Sequence, residues 1–257
     1  MTPQDHAAFT ERLHARLAAD PDVMGLVMAG SSSGLAPPPD AFSDHDFWIV
    51  TRPGAQERFR TDPSWLPDAG ELVLHYRETA HGIKALYRSG HLLEFAVFDL
   101  DEAGGALINR YRIVFDRADL TARLERARAN TAAAASKPAD LAFRVGQFLT
   151  ALVVGAGRAV RGETLSGHHF VRVGAIEHLL VLHRARRGDD PHRDSLDPAR
   201  RFERAYPELG QELELTMRRP IPEAARQLLA IGARELGDLL PPTAVSAVSA
   251  FLARLAP

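Results

Sequence analysis

Asp44 and Asp46 stand two residues apart in Ser43-Asp44-His45-Asp46, directly ahead of the apolar run Phe47-Trp48-Ile49-Val50. On an extended strand this spacing sends both carboxylates from one face and His45 and Phe47 from the other. Carboxylates so placed can share a divalent cation. Magnesium suits them because it takes hard oxygen ligands and keeps positions open for phosphate oxygens and water. An isolated Asp-x-Asp at a strand end is ordinarily solvated surface, so the assignment needs further members. Glu94 is one, embedded in Leu92-Leu93-Glu94-Phe95-Ala96-Val97-Phe98. In a strand that is apolar on both faces an unpartnered carboxylate is costly or loses its charge. A metal shared with Asp44 and Asp46 removes that cost; an edge strand with Glu94 turned to solvent is the alternative. Gly30-Ser31-Ser32-Ser33-Gly34 supplies a third part, since a turn without a side chain lets backbone N–H groups and a serine hydroxyl come close to phosphate oxygens.

These residues must be positioned by regular elements. Thr2 is a helix N-cap, Pro3 suits the first turn, and Phe9, Leu13 and Leu17 recur at four-residue spacing until Asp20-Pro21. Val23 to Ala29 reads as a buried strand delivering the chain into the Gly30 turn, and Asp44 opens the next strand. Further strands are expected at Leu72 to Tyr76, Ile83 to Tyr87, Leu92 to Phe98 and Tyr111 to Phe115, the middle two joined by a Ser89-Gly90 hairpin. Leu120 to Ala129 has helical spacing. Beyond the alanine-rich Thr131 to Ser136 only helical periodicity remains. Expected helices run from Ser136-Lys137-Pro138 to Arg161-Gly162, from Ser166 to Arg187, and over Pro198 to Tyr206, Glu208 to Met217, Glu223 to Leu240 and Thr243 to Leu255. The expected class is therefore α+β: a mixed sheet with flanking helices in residues 1–135, then an all-α bundle in 136–257.

The chain has 257 residues, 46% of them hydrophobic, enough for one large core or two modest ones. Residues 1–135 hold 14 basic and 19 acidic side chains and the rest 17 and 14, so the two parts carry about −5 and +3. No global field argues for nucleic acid or an acidic membrane surface, and aromatic residues are only 7%. Cysteine is absent, which excludes disulfides, thiolate metal sites and cysteine nucleophiles. The start of the chain lacks a secretory pattern, and no apolar run approaches the roughly 18 residues of a membrane span. A cytoplasmic protein is expected.

With these pieces in this order the sequence resembles the nucleotidyltransferase superfamily typified by DNA polymerase beta, particularly its small antibiotic-modifying adenylyltransferases. The resemblance is carried by Gly30-Ser31, Ser43-Asp44-His45-Asp46, Leu93-Glu94-Phe95, and a helical half whose first long helix ends in Arg161-Gly162-Glu163. The helical half matches in architecture only. The resemblance implies that Asp44 and Asp46 hold the metals. Glu94 completes the metal site or accepts the proton of the attacking hydroxyl, and Gly30, Ser31 and Ser43 are the nucleotide-binding positions. It further implies two Mg2+ ions and ATP or another nucleoside triphosphate as co-substrate. The reaction is attack of a small-molecule hydroxyl on the α-phosphorus, in line with departing pyrophosphate, with AMP the group transferred and aminoglycosides or lincosamides as acceptors. One departure is Leu35-Ala36-Pro37-Pro38-Pro39-Asp40, where relatives often carry a basic residue that would neutralise the pyrophosphate.

Other patterns compete. Gly30 to Gly34 also fits G-x-S-x-G, the nucleophile elbow of α/β-hydrolases, with Ser32 as nucleophile; that elbow must run directly into a helix, and Pro37-Pro38-Pro39 cannot occupy a helix interior. A nucleotidyltransferase-like scaffold kept for binding or regulation is the non-enzymatic alternative, although such a scaffold is expected to lose an acidic position. Gly155-Ala156-Gly157 lacks the third glycine of a dinucleotide fingerprint and is read as helix packing. Asp99-Leu100-Asp101-Glu102 is read as a solvated strand end. His168-His169, His178 and His183 lack zinc-ligand spacing. Arg184-Ala185-Arg186-Arg187, Arg200-Arg201 and Arg218-Arg219 read as solvated helix faces, though one of them, or Arg158, Arg161 or Arg172, is a candidate to meet a triphosphate.

Overall fold

The computed structural model describes residues 2–34, 39–135, 140–188, 197 and 199–255, and the chain divides into two units, Met1–Ser136 and Lys137–Pro257. It is α+β, a mixed six-stranded sheet with helices followed by helices alone.

In the first unit helix α1 (Pro3–Ala18) starts in a capping box: the Thr2 hydroxyl accepts from Asp5 N, and the Asp5 carboxylate accepts from Thr2 N at 2.9 Å. Strands β1 (Val23–Ala29), β2 (His45–Thr51), β3 (Leu72–Arg77), β4 (Gly82–Tyr87), β5 (Leu92–Asp99) and β6 (Tyr111–Asp116) lie in the order β3-β4-β5-β2-β1-β6. All pairs are antiparallel except β2 and β5, which run parallel. The Ser89-Gly90 hairpin forms, with Leu86 opposite Leu92 and Gly90 at positive φ.

Strand alternation assigns two faces. Leu26, Met28, Phe47, Ile49, Leu93, Phe95 and Val97 pack against Phe9, Leu13 and Leu17 of α1. Val27, Trp48, Val50 and Phe98 meet Ala103, Leu120, Leu124 and Ala127 on the opposite face. Those partners come from or adjoin α3 (Leu100–Gly105) and α4 (Thr121–Ala135), while α2 (Gln56–Thr61) follows β2. Burying both faces explains why β2 and β5 are apolar almost throughout.

Asp99-Leu100-Asp101-Glu102 departs from expectation. It is not a solvated strand end: Asp99 caps α3, its carboxylate accepting from Asp101 N and Glu102 N, and Glu102 reaches back to Asp99 N at 2.9 Å. The D-x-x-E spacing of a capping box carried that signal, and the preceding strand pattern obscured it.

The second unit holds α5 (Leu141–Val160), α6 (Thr164–His168), a π-helical turn over His169–Ala175, α7 (Ile176–Arg187), α8 (Phe202–Ala205), α9 (Pro207–Met217), α10 (Ile221–Leu236) and α11 (Pro242–Ala253). The expected start at Ser136-Lys137-Pro138 lies outside the described residues, and Asp140 caps α5 by accepting from Phe143 N at 2.9 Å. Of the stretch expected to be helical from Pro198 to Tyr206, Pro198 lies outside the described residues and the remainder is α-helical over Phe202–Ala205 only. Gly155 is a packing residue: a Cβ there would lie 2.6 Å from Val171 Cγ2 and 3.1 Å from Gly167 O, so α5 crosses the following helix through its backbone. Among the described residues no helix is long and apolar enough to cross a membrane.

Candidate functional site

Because β1 and β2 are antiparallel, with Met28 opposite Phe47, the end of β1 delivers Gly30 beside Asp46. Because β2 and β5 are parallel, with Asp46 opposite Glu94, the third carboxylate falls on the neighbouring strand and the same face. Asp44 precedes β2 by one residue and adds the second aspartate at strand spacing. One oxygen each of Asp44, Asp46 and Glu94 lies within 4.8 Å of the others, and all three side chains are half-buried. Three hard oxygen donors with no sulfur or imidazole among them fit magnesium better than zinc.

The turn at Gly30 is shaped around Asp46. Gly30 has φ +54°, and a Cβ there would stand 2.3 Å from Asp46 Oδ2. The chain leaves β1 in a single 3-10 turn, Gly30–Ser33, in which Ser33 Oγ donates to Gly30 O at 2.8 Å. Ser32 is buried; its Oγ accepts from Asp46 N at 3.3 Å and donates to Asp44 O at 3.4 Å, so it binds the turn to the aspartate strand. A serine engaged this way at a 3-10 turn does not have the exposed setting of a nucleophile elbow. Ser31 is half-buried in the same turn. Ser43 lies beside Asp44, and its hydroxyl is engaged with Asp40, accepting from Asp40 N at 2.9 Å. Gly30→Ala is expected to strain the backbone and push the Asp46 carboxylate out of place, weakening Mn2+ binding about tenfold or more with a lesser loss of thermal stability. Mn2+ titration beside a thermal melt checks this; unchanged Mn2+ affinity contradicts the assigned role of the glycine.

Two basic residues adjoin this region that sequence reasoning missed. Lys84 on β4 lies opposite Glu94 and bridges two carboxylates, its Nζ 3.0 Å from Glu94 Oε1 and 3.0 Å from Glu78 Oε1. Glu78 and then Glu94 hold the Lys84 ammonium well above the usual lysine range. Counting back from the Ser89-Gly90 hairpin pairs position 84 with 94, a signal that was available. Arg112 on edge strand β6 donates from Nε to Ser33 O at 3.1 Å, which sets a guanidinium beside the turn. Only the sheet order could have placed it.

Under the aspartates, on the α1 face, sits a buried histidine cluster. His45 is fully buried; His6 stacks on it at 3.4 Å between ring centroids, and His91 Nε2 is 2.7 Å from His45 Nδ1. His45 Nε2 lies 3.2 Å from the His6 carbonyl, which can only accept, so Nδ1 is left as the acceptor for an N–H from His91. His6 Nε2 in turn lies 3.2 Å from Asp44 O and donates to it. His45, which donates from Nε2 and accepts at Nδ1, is thereby neutral. Burial first, then the neighbouring histidines, pushes His45 down to about 2, and burial and His6 push His91 down to about 4.

Two clefts flank the carboxylates. One of about 580 Å³ is lined by Asp5, Phe42, Ser43, Asp44, His91 and Leu92. The other, of about 370 Å³, is lined by Thr79, His81, Gly82, Ala96, Phe98 and Glu102, where Gly82 and Ala96 lie two residues beyond Lys84 and Glu94 on the same face.

No protein-family model matches the chain, and no curated protein sequence matches it. Solved structures do. An aminoglycoside 6-adenyltransferase from Bacillus subtilis is 12% identical, the alignment covering 95% of this chain and 96% of that one with a TM-score of 0.38. A nucleotidyltransferase-like protein from Exiguobacterium sibiricum 255-15 is 15% identical, covering 96% and 88% with a TM-score of 0.33.

Proposed function

We propose that this chain is a nucleotidyltransferase that moves a nucleoside monophosphate from a nucleoside triphosphate to a hydroxyl of a small-molecule acceptor. The observation that supports this reading most is the convergence of the Asp44, Asp46 and Glu94 oxygens within 4.8 Å, beside a turn whose Gly30 leaves room for the Asp46 carboxylate. In this proposal residues 1–135 are the catalytic part and residues 136–257 select the acceptor.

Asp44, Asp46 and Glu94 would hold divalent magnesium, two ions in the full site. When bound, magnesium supplies charge compensation for the triphosphate and lowers the pKa of the attacking hydroxyl. The residues of the chain do the positioning. Gly30 and Ser31 present a side-chain-poor turn to the terminal phosphates, Ser43 adjoins Asp44, and Arg112 at the turn offers the cation that the proline-rich loop lacks. The clefts beside Asp44 and beyond Glu94 give room for nucleoside and acceptor on either side of the carboxylates. Ordering both reactants there accounts for much of the rate, since phosphoryl chemistry asks for little covalent participation by protein groups.

ATP is the nucleotide, and aminoglycosides or lincosamides the acceptors, that the sequence resemblance suggests. Pyrophosphate release, screened with ATP and the other nucleoside triphosphates in magnesium across those antibiotics and other polyols, tests the proposal. The expected result is release that requires one acceptor and stops with chelator. No release with any acceptor, together with no magnesium-dependent triphosphate binding, would replace it with the scaffold reading.

A further inference from the structure

Lys84 is the part of this region that the proposed reaction does not use. The register aligns Asp46, Glu94 and Lys84 side by side across β2, β5 and β4, while the Gly30 turn follows β1 on the other flank of Asp46. From β1 to β4 is three strand spacings, about 14 Å. A lysine side chain does not span that distance, so Lys84 is no clamp for phosphates held at the turn. Its partners define it instead: one ammonium at 3.0 Å from Glu94, a member of the carboxylate group, and at 3.0 Å from Glu78, which is not a member.

We infer that Lys84 is a built-in counter-ion of the acidic row, which competes with a divalent cation for Glu94 and hands over to Glu78 when that cation enters. The inference rests on the proposed metal-binding role of the row. With one Glu94 oxygen engaged by Lys84, the carboxylate is anchored, which suits a fixed ligand better than a mobile proton acceptor. Repulsion between the ammonium and a divalent ion on the same carboxylate is doubled by the ion's charge and acts well inside the Debye length. Glu78 offsets it by drawing the ammonium away. Lys84 is therefore a positioning residue, and Glu78 and Lys84 should shift metal affinity in opposite directions.

Mn2+ binding to the full chain without nucleotide, followed by the electron paramagnetic resonance of free Mn2+ at low ionic strength, tests this. Lys84→Met is expected to tighten Mn2+ binding about fivefold or more, the gain shrinking at about 0.5 M salt. Lys84→Arg should stay near wild type. Glu78→Gln is expected to weaken binding about threefold, and to do so far less when Lys84→Met is already present, since the two act through one contact. A thermal melt of each variant establishes that it folds, and Lys84→Gln replaces Lys84→Met if the latter does not. Unchanged or weaker binding in the folded Lys84 variant overturns the inference, as does an undiminished Glu78→Gln effect in the double variant. A wild-type chain that binds no Mn2+ overturns the metal reading itself, a result distinct from either.

Discussion

Asp46→Asn is expected to lower acceptor-dependent pyrophosphate release by about a thousandfold or more while leaving the chain as stable as the parent, or slightly more so. The two effects have one cause. Asp46 faces Glu94 across parallel strands and lies within 4.8 Å of Asp44, so three like charges are held together by the fold. Like charges directly opposed on neighbouring strands destabilise a sheet. Asparagine removes one charge, keeps the shape, and keeps the backbone N–H that Ser32 accepts. For a divalent ion the same change is severe. Outer-shell partners of metal ligands are already worth roughly 10- to 100-fold, and here a proposed ligand would lose its charge and present an N–H2 in place of one oxygen. Melting temperature and pyrophosphate release measured on the same preparation give the answer. Retained activity, or lost activity explained by a fall in stability, would remove Asp46 from the chemistry.

How far the site was legible depended on whether each part was local. Asp44 and Asp46 share a strand, so their common face follows from a period of two. Glu94 stood out as an acid in an apolar strand, and its position beside Asp46 follows once β2 and β5 are neighbours, a parallel pairing that α2, β3 and β4 intervene to make. The sheet and the helical half were legible from periodicity, whereas α2 and α3 are too short to carry a period and α8 is a single turn. Residues that arrive from separate elements had no pattern to betray them. Arg112 reaches the turn from β6, the edge strand beside β1 but distant from it in sequence, and His6, His45 and His91 come from α1, β2 and the hairpin before β5. Their spacing of about forty residues means nothing along the chain and becomes contact only when α1 packs on the β2–β5 pair.

That histidine cluster makes the first unit acid-labile below about pH 6.5. An unfolded histidine takes a proton near pH 6.5, but folded His45 resists until about pH 2 and His91 until about pH 4. Both folded values lie below the unfolded one, so above pH 6.5 the cluster costs nothing. As pH falls below 6.5 the unfolded chain binds protons that the folded chain refuses, and stability falls by about 1.4 kcal/mol per pH unit for each histidine. Two histidines acting together between pH 6.5 and 4.5 lose about 5 kcal/mol, a large share of the 5–15 kcal/mol typical of a folded domain. Burial is the main cause, and the hydrogen bonds sharpen it: a proton on His45 Nδ1 would face the N–H of His91 at 2.7 Å. His6, lowered by burial as well, adds to the slope, with the nearby Asp44 carboxylate working against it. Both tryptophans, Trp48 and Trp65, lie in the first unit, so their fluorescence follows this unit alone during urea unfolding. The expected slope between pH 6.5 and 4.5 is close to two protons or slightly more. His45→Gln should start less stable at pH 7.5 but lose about one proton's worth of slope, because glutamine cannot titrate. If wild type and His45→Gln fall in parallel with pH, His45 is not a proton-refusing group and the neutral tautomer chain from His91 to the His6 carbonyl is wrongly assigned.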